Sequence, residues 1–307
     1  MNTPKIVVVG SVNTDMVVKS ERIPAPGETI TGGQFVMAAG GKGANQAVAA
    51  ARLGAQVTLV AKVGRDVFGD QAVENYRREG IATDLVLRDP ALATGVALIL
   101  VDQKGENSIA VAPGANFSIT PDEVAQAAER IRQADVLLLQ LEIPLATVEA
   151  AARIAAEAGV SVVLDPAPVA PLSDALLGCV KVIKPNEHEA ERLTGVRVTD
   201  EASARQAAEQ LLCRGVQQAV ITLGPRGALW VSRERSVFVP GTPVQTVDST
   251  AAGDAFSGGL ACAMARGLSM EDAVREACLV GALATTRLGA QPSMPTAAEL
   301  AAFRQSR

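Results

Sequence analysis

Lys5 to Gly10 reads KIVVVG: one charge, four branched aliphatics in a row, and a glycine. A strand with one wet face alternates apolar and polar residues. A run without alternation suits a strand covered on both faces, as in parallel sheets. Similar runs return at 57–64 (VTLVAKVG), 135–141 (DVLLLQL), 160–166 (VSVVLDP), 180–185 (VKVIKP) and 218–224 (QAVITLG). Between them lie Ala-rich segments of helical period, clearest at 43–55, 68–80, 120–134, 145–159 and 200–215. Several close on glycine, a normal helix stop. The segment at 120 opens with Thr-Pro and then two acids, a helix-start pattern. Strand and helix in alternation predict an α/β fold with a doubly wound, mostly parallel sheet.

Two stretches interrupt that rhythm. Residues from about 14 to 36 and from about 94 to 112 read as strands and turns, the second as a hairpin turning near Lys104-Gly105. Two such insertions could join as a small β-sheet lid over the crevice at the strand ends; ordinary edge hairpins are the alternative. From Gly253 to about Leu288 the chain reads as two helices, with a last short one after MPTAAEL. Without repeats, low-complexity segments or linkers, residues 1–307 read as a single domain carrying the lid.

Composition narrows the function. Hydrophobic residues make up 48% and charged residues 20%, enough apolar material for a large core. Aromatics are only 3%, which argues against a base-stacking platform, and the net charge of −5 without a basic run argues against nucleic acid as a partner. Cys179, Cys213, Cys262 and Cys278 form no CxxC pair and read as small core residues in a reducing compartment. The single histidine, His188, sits in a charged helix start and reads as solvated. No apolar run reaches the ~18 residues that span a bilayer, and the N-terminal apolar stretch reads as a strand rather than a signal peptide. A cytoplasmic protein without membrane contact is expected.

Several motifs could carry chemistry. GxxxxGK[ST] and GxGxxG are absent, which removes the usual phosphate loop and dinucleotide fingerprint. AAGGKGANQAVAAARLG, from Ala38 to Gly54, sets three glycines and Lys42 before a helix, where free N–H groups and close backbone approach are available. Asn45 falls on its first turn. In VNTD, Asn13 and Asp15 fall on one side of an extended chain and suit sugar hydroxyls, although an Asx turn would use the same residues. Glu142 ends a buried strand, where α/β ligands bind. Asn186 and Glu189, three apart, share a helix face and could hold water and a metal-bound phosphate. Thr222, Gly224 and Gly227 mark a turn between strands, under a nucleotide or in a plain hairpin. Finally DSTAAGDAFSGG, from Asp248 to Gly259, places Asp254 behind a glycine at a helix mouth, as a helix-start acid or as a catalytic base beside an anion site.

GGKGANQA and DSTAAGDAFSGGL together resemble the two signatures of the ribokinase-like (phosphofructokinase B type) carbohydrate kinases. VGSVNTD, PGET, PNEHE, TLGPRG and TRLGAQPSMP fall in matching order around them, so the resemblance spans essentially the whole chain. It is nearest to the members that phosphorylate ribose, and implies ATP-dependent phosphorylation of D-ribose at O5. By that resemblance Asp254 is the general base, with the backbone N–H groups of Ala251, Ala252 and Gly253 as anion hole. Asn13, Asp15, Gly41, Lys42, Asn45 and Glu142 would contact the sugar. Asn186, Thr222, Gly224, Gly227, Gly253 and Cys278 would lie along ATP, and Glu189 would help place Mg²⁺ through water. A monovalent cation, K⁺, would sit among Asp248, Thr250, Ala284, Arg287, Gly289 and Ser293. The lid of such kinases often forms a dimer interface, which implies a homodimer here. A related kinase acting on deoxyribose, a ketohexose, a keto-deoxy sugar acid or a nucleoside is the alternative. A non-catalytic sugar-binding regulator would have no need of the intact AAGD.

Overall fold

In the computed structural model, which describes residues 3–306, the aliphatic runs become the inner strands of the main sheet. The strands are β1 (Lys5–Val9), β2 (Asn13–Lys19), β3 (Gln34–Gly40), β4 (Gln56–Gly64), β5 (Val86–Asp89), β6 (Gly95–Val101), β7 (Asn107–Ala112), β8 (Val136–Leu139), β9 (Ser161–Leu164), β10 (Val182–Ile183), β11 (Gln218–Thr222), β12 (Gly227–Ser232) and β13 (Ser236–Pro240). Among the described residues, nine form one sheet in the order β13-β12-β11-β10-β9-β8-β1-β4-β5. Pairing is parallel from β5 to β11, and the last two strands are antiparallel.

The absence of alternation in KIVVVG has the expected cause. Ile6 and Val8 enter one apolar layer, Val7 and Val9 the other. β8 divides likewise, Val136 and Leu138 against Leu137 and Leu139. The layers are closed by helices α1 (Lys42–Arg52), α2 (Val67–Arg78), α3 (Pro121–Ala125), α4 (Ala128–Arg132), α5 (Leu145–Glu157), α6 (Asp174–Cys179), α7 (Glu187–Thr194), α8 (Glu201–Cys213), α9 (Ala252–Ala265), α10 (Met270–Ala284) and α11 (Ala297–Gln305). The single helix expected at 120–134 is two short ones. Gln126 and Ala127 donate to Glu123 O and Val124 O, three residues back, and this tightening breaks the helix between α3 and α4.

A second sheet, β3-β2-β6-β7, is built from the two interrupting stretches. Asn13 pairs with Gly40 and Gly95, and Asp15 with Ala38 and Ala97. Residues in register share a face, as do alternate residues along a strand. Val36, Ile109 and Val111 therefore lie on the Asp15 face, and all three are exposed. Of the cysteines, Cys262 and Cys278 are core residues as expected, but Cys179 is half-buried and Cys213 exposed, at the end of α8. No helix among the described residues is long and apolar enough to cross a membrane.

Candidate active site

The carboxyl ends of five parallel strands deliver polar side chains to one crevice, where open α/β sheets bind their ligands. β1 leads to Ser11 and Asn13, β8 to Gln140 and Glu142, β9 to Asp165, β10 to Lys184 and Asn186, and β11 to Thr222. The helices α1 and α9 begin beside them.

Asp254 is buried, 5% exposed, in the first turn of α9. Asn45 Nδ2 donates to its Oδ2 at 2.9 Å, and Gln46 Nε2 to its Oδ1 at 3.1 Å. Burial raises its pKa; the Lys42 ammonium opposes the rise, Asp165 adds to it, and the Asn45 and Gln46 amides oppose it. The result is a carboxylate of heightened basicity with both oxygens oriented. For Lys42, burial works to lower the pKa, but Asp254, Asp165, Glu142 and Glu189 outweigh it and hold the ammonium charged.

The helix mouth ahead of Asp254 is an unusual piece of backbone. Ala251 has φ 58°, the one non-glycine in the left-handed region among the described residues. Such conformations cost on the order of 1–3 kcal/mol and cluster where function demands them. Ala252 N–H turns back onto Ser249 O at 3.2 Å. Among the described residues nothing accepts from the N–H groups of Ala251 and Gly253. Two of the three expected anion-hole donors are thus open, and the third is engaged because the turn at Ala251 folds it inward.

The residues expected on the sugar side converge from β2, from beyond β8 and from the start of α1. Asn13 Oδ1 accepts from Asn116 Nδ2 at 2.8 Å, which fixes its amide at the start of β2. Asp15, two residues on, has its pKa pushed up to about 6 by burial, then by Glu142 and Asp254. Glu142 Oε2 accepts from Ser11 Oγ at 2.5 Å and from Lys42 N–H at 3.0 Å, tying β8 to the start of α1. Gly41 has φ 89°, and a Cβ there would stand 2.7 Å from Asn13 N. Gly41 and Gly43 also make room for the chain's own backbone at residues 10–13.

On the other side of the crevice, Asn186 and Glu189 form a reciprocal cap on α7. Asn186 Oδ1 accepts from Glu189 N–H and Glu189 Oε2 from Asn186 N–H, both at 2.8 Å. Burial and then Asp165 raise the Glu189 pKa, against Lys184, the Asn186 N–H and Lys42. Thr222 forms a bridge with Asn186 across β10 and β11. Gly224 and Gly227 follow in the turn into β12, where a Cβ on Gly227 would strike Val239 O. Cys278 is buried on α10 among the apolar side chains of the sheet, with its thiol pushed up to about 12 by that burial. His188 is exposed.

Behind α9 two loops meet. Asp248 Oδ2 accepts from Gly289 N–H at 2.8 Å, and Asp248 Oδ1 from Thr250 N–H and Oγ1 at 2.9 and 2.6 Å. Thr285 O accepts from the N–H groups of Val247 and Asp248. Desolvation would raise the Asp248 pKa, but these hydrogen bonds prevail and hold it below its usual range. Ala284, Arg287, Gly289 and Ser293 fall in the second loop and its flanks.

Sequence reasoning missed Ser11, Gln46, Asn116, Gln140, Asp165 and Lys184. Asp165 and Lys184 each stand directly past a buried parallel strand, and that position was the available signal. Gln46 and Asn116 had none, because their partners are distant in the chain.

A buried, oriented carboxylate beside open N–H groups at a helix mouth, flanked by hydroxyl-binding amides and acids, equips a protein to pass an anionic group to a hydroxyl. Residues 3–297 match the model of the pfkB family carbohydrate kinases. The chain is 44% identical to the ribokinase of Haemophilus influenzae across 97% of each chain, and 38% identical to the deoxyribokinase of Salmonella typhi across 95% of each. The structure of Arabidopsis thaliana ribokinase complexed with ribose and ATP superposes with a TM-score of 0.92, at 34% identity, over 98% of this chain and 99% of that one. The chain belongs to the pfkB family of carbohydrate kinases.

Proposed function

We propose that this chain transfers the γ-phosphoryl group of ATP to the O5 hydroxyl of D-ribose, releasing D-ribose 5-phosphate and ADP. The observation that carries the reading is Asp254, buried and held by Asn45 and Gln46, at the mouth of α9. Near-full-length similarity to ribokinases supports the sugar.

Asp254 accepts the O5 proton as the new O–P bond forms and the bond to the ADP oxygen breaks. A general base of this kind contributes ~10²–10⁴-fold; orientation of the two substrates supplies much of the rest. Asn13, Asp15, Lys42, Asn45 and Glu142, with the backbone at Gly41, hold the sugar hydroxyls and aim O5 at the phosphorus. The open N–H groups of Ala251 and Gly253 and the positive end of α9 meet charge developing on the phosphoryl oxygens. Asn186, Thr222, Gly224 and Gly227 lie along the nucleotide, and Cys278 offers its purine an apolar wall. The four-stranded sheet acts as a lid that keeps water from the reacting oxygen.

Two metal ions fit the residues present. Glu189 keeps Oε1 free of the capping bond and is half-buried near Lys42, which suits a water-mediated hold on Mg²⁺ that arrives with the nucleotide's phosphates. Asp248 is held ionised where its loop meets that of Gly289, and with the backbone carbonyls of Thr250, Ala284, Arg287, Gly289 and Ser293 it would offer a cation oxygen donors only. Such donors suit K⁺, whose positive charge would reinforce the anion site. The exposed apolar side chains on the Asp15 face of the lid support a homodimer in which each lid covers the other. Dependence on ATP and four free cysteines fit the cytoplasm.

Asp254→Asn is expected to lower kcat by about 10²–10⁴-fold while calorimetry finds ribose bound nearly as in the parent. Turnover that survives the substitution would remove the assignment. Similarity to a deoxyribokinase favours deoxyribose as a second reading. ADP release across a sugar panel, with K⁺ or Na⁺, decides between them: ribose should lead, and K⁺ should stimulate.

A further inference from the structure

Beneath the base lies a second pair of charges. Lys184 is 3% exposed and Asp165 2% exposed, and Lys184 Nζ stands 3.1 Å from Asp165 Oδ2. Removing two charges from water costs several kcal/mol per ion in real proteins, and the attraction between them often only breaks even. A buried pair is therefore a poor device for stability alone. Its surroundings point to another use. Gln46 Nε2 donates to Asp165 Oδ2 at 2.9 Å and to Asp254 Oδ1 at 3.1 Å, so a single amide bridges the two carboxylates. Gln46 Oε1 accepts from Gln140 Nε2 at 2.6 Å, which fixes the amide's orientation. Lys184 Nζ also donates to Gly253 O at 3.3 Å, in the turn that carries the anion site and the base. Ser257 Oγ reaches Asp165 Oδ2 at 3.4 Å from the next turn of α9. Asp165 Oδ1 is buried with no partner.

We infer that the Asp165–Lys184 pair is a positioning unit for Asp254: it holds the bridging amide of Gln46 and the first turn of α9, and its balance of charge sets how readily the base takes a proton. This rests on Asp254 being the base. Asp254 faces Lys42 from α1, Asp165 after β9 and Asp15 on β2; Asp165 in turn faces Lys184 after β10, Lys42 and Glu189 on α7. Of these, Asp165 and Lys184 belong neither to the sugar-contacting set nor to the nucleotide-contacting set. Asp165 acts on Asp254 in the direction of holding a proton, and Lys184 moderates it by neutralising Asp165. Asp165 is linked to Asp254 through the one Gln46 amide, whereas Lys184 is linked to it through Asp165 and the Gly253 carbonyl.

Three variants test the unit through the pH dependence of kcat at saturating ribose and ATP, whose acid limb reports the base in the ternary complex. Asp165→Asn keeps an oxygen for the Gln46 amide and removes the negative charge; the acid limb should move to lower pH. Lys184→Gln keeps an N–H donor and leaves Asp165 uncompensated; the limb should move to higher pH. Each displacement should be on the order of one pH unit, as for one charge close by at an effective dielectric between those of protein and water. The double variant restores neutrality and should return the limb near the parent position, with kcat reduced and the ribose KM little changed. Singles that leave the acid limb in place and lower only the melting temperature would overturn the inference and leave the pair structural. If Lys184→Gln does not fold, Asp165→Asn and the double variant decide alone, since the inference requires the first to shift the limb and the second to cancel the shift. Failure here is distinct from failure of the function. An inactive Asp254→Asn beside an unmoved limb removes only the positioning role, whereas an active Asp254→Asn removes the base itself.

Discussion

Asp15, proposed above to contact the sugar, shows how such a residue burdens the fold. Its pKa rises from an ordinary 3.8 to about 6 through burial, Glu142 and Asp254. The folded form thus holds the proton more tightly than the unfolded form. Stability from this group is full below about 3.8 and is lost as pH rises through about 6. At pH 7.5 the ionised carboxylate costs on the order of 2–3 kcal/mol. Asp15→Asn should therefore stabilise the sugar-free protein at neutral pH by up to that amount, with little gain at pH 4, while ribose affinity falls. Urea unfolding at the two pH values checks this; equal gains at both would refute it. The i, i+2 spacing of Asn13 and Asp15 made their shared face readable from the chain. The raised pKa was not readable, because it comes from burial and from acids after β8 and on α9 that meet Asp15 only in space.

Among the elements, the start of α1 is tightly constrained. A Cβ on Gly43 would fall 2.5 Å from Ser11 N and 2.6 Å from Gly10 C. Both are backbone atoms of the β1–β2 connection, so neither can swing aside. Gly43→Ala should force α1 away from that connection, cost ~1–3 kcal/mol as overpacked sites do, and loosen the hold of Lys42 N–H on Glu142. A lower melting temperature together with a raised ribose KM is the expected outcome; normal values of both would show that the approach is not tight. The glycine cluster was visible in the sequence, but its cause lay in the strand it packs against. The cap at α7 teaches the same point. The spacing of Asn186 and Glu189 was legible as one helix face, whereas the extended backbone at Asn186 turned the pair into a reciprocal cap.

At the scale of the molecule, the small sheet leaves Val36, Ile109 and Val111 exposed on the face that carries Asp15. Apolar side chains grouped on one sheet face mark an interaction surface, and a second copy of the chain presents the matching one. Sedimentation should find a dimer. Ile109→Lys should yield a monomer whose main sheet unfolds as before but whose ribose KM is raised, since an uncovered lid no longer closes the sugar side. A dimer that persists in that variant would place the interface elsewhere.

The sequence by itself determined most of the strands and most of the helices, because these follow from residues near one another along the chain. Lys5 to Val9 is the plainest case: its lack of alternation announced two covered faces before any neighbour was known. Short or partly exposed elements such as β5 and β13 escaped it, since the same residues serve equally as loop. Only the tertiary structure decided the electrical state of the crevice. Lys184 and Asp165 carry no motif, and their pairing depends on β9 and β10 lying side by side. Desolvation and Coulomb interaction depend on burial and on distance through space, and both exist only once the whole sheet has assembled.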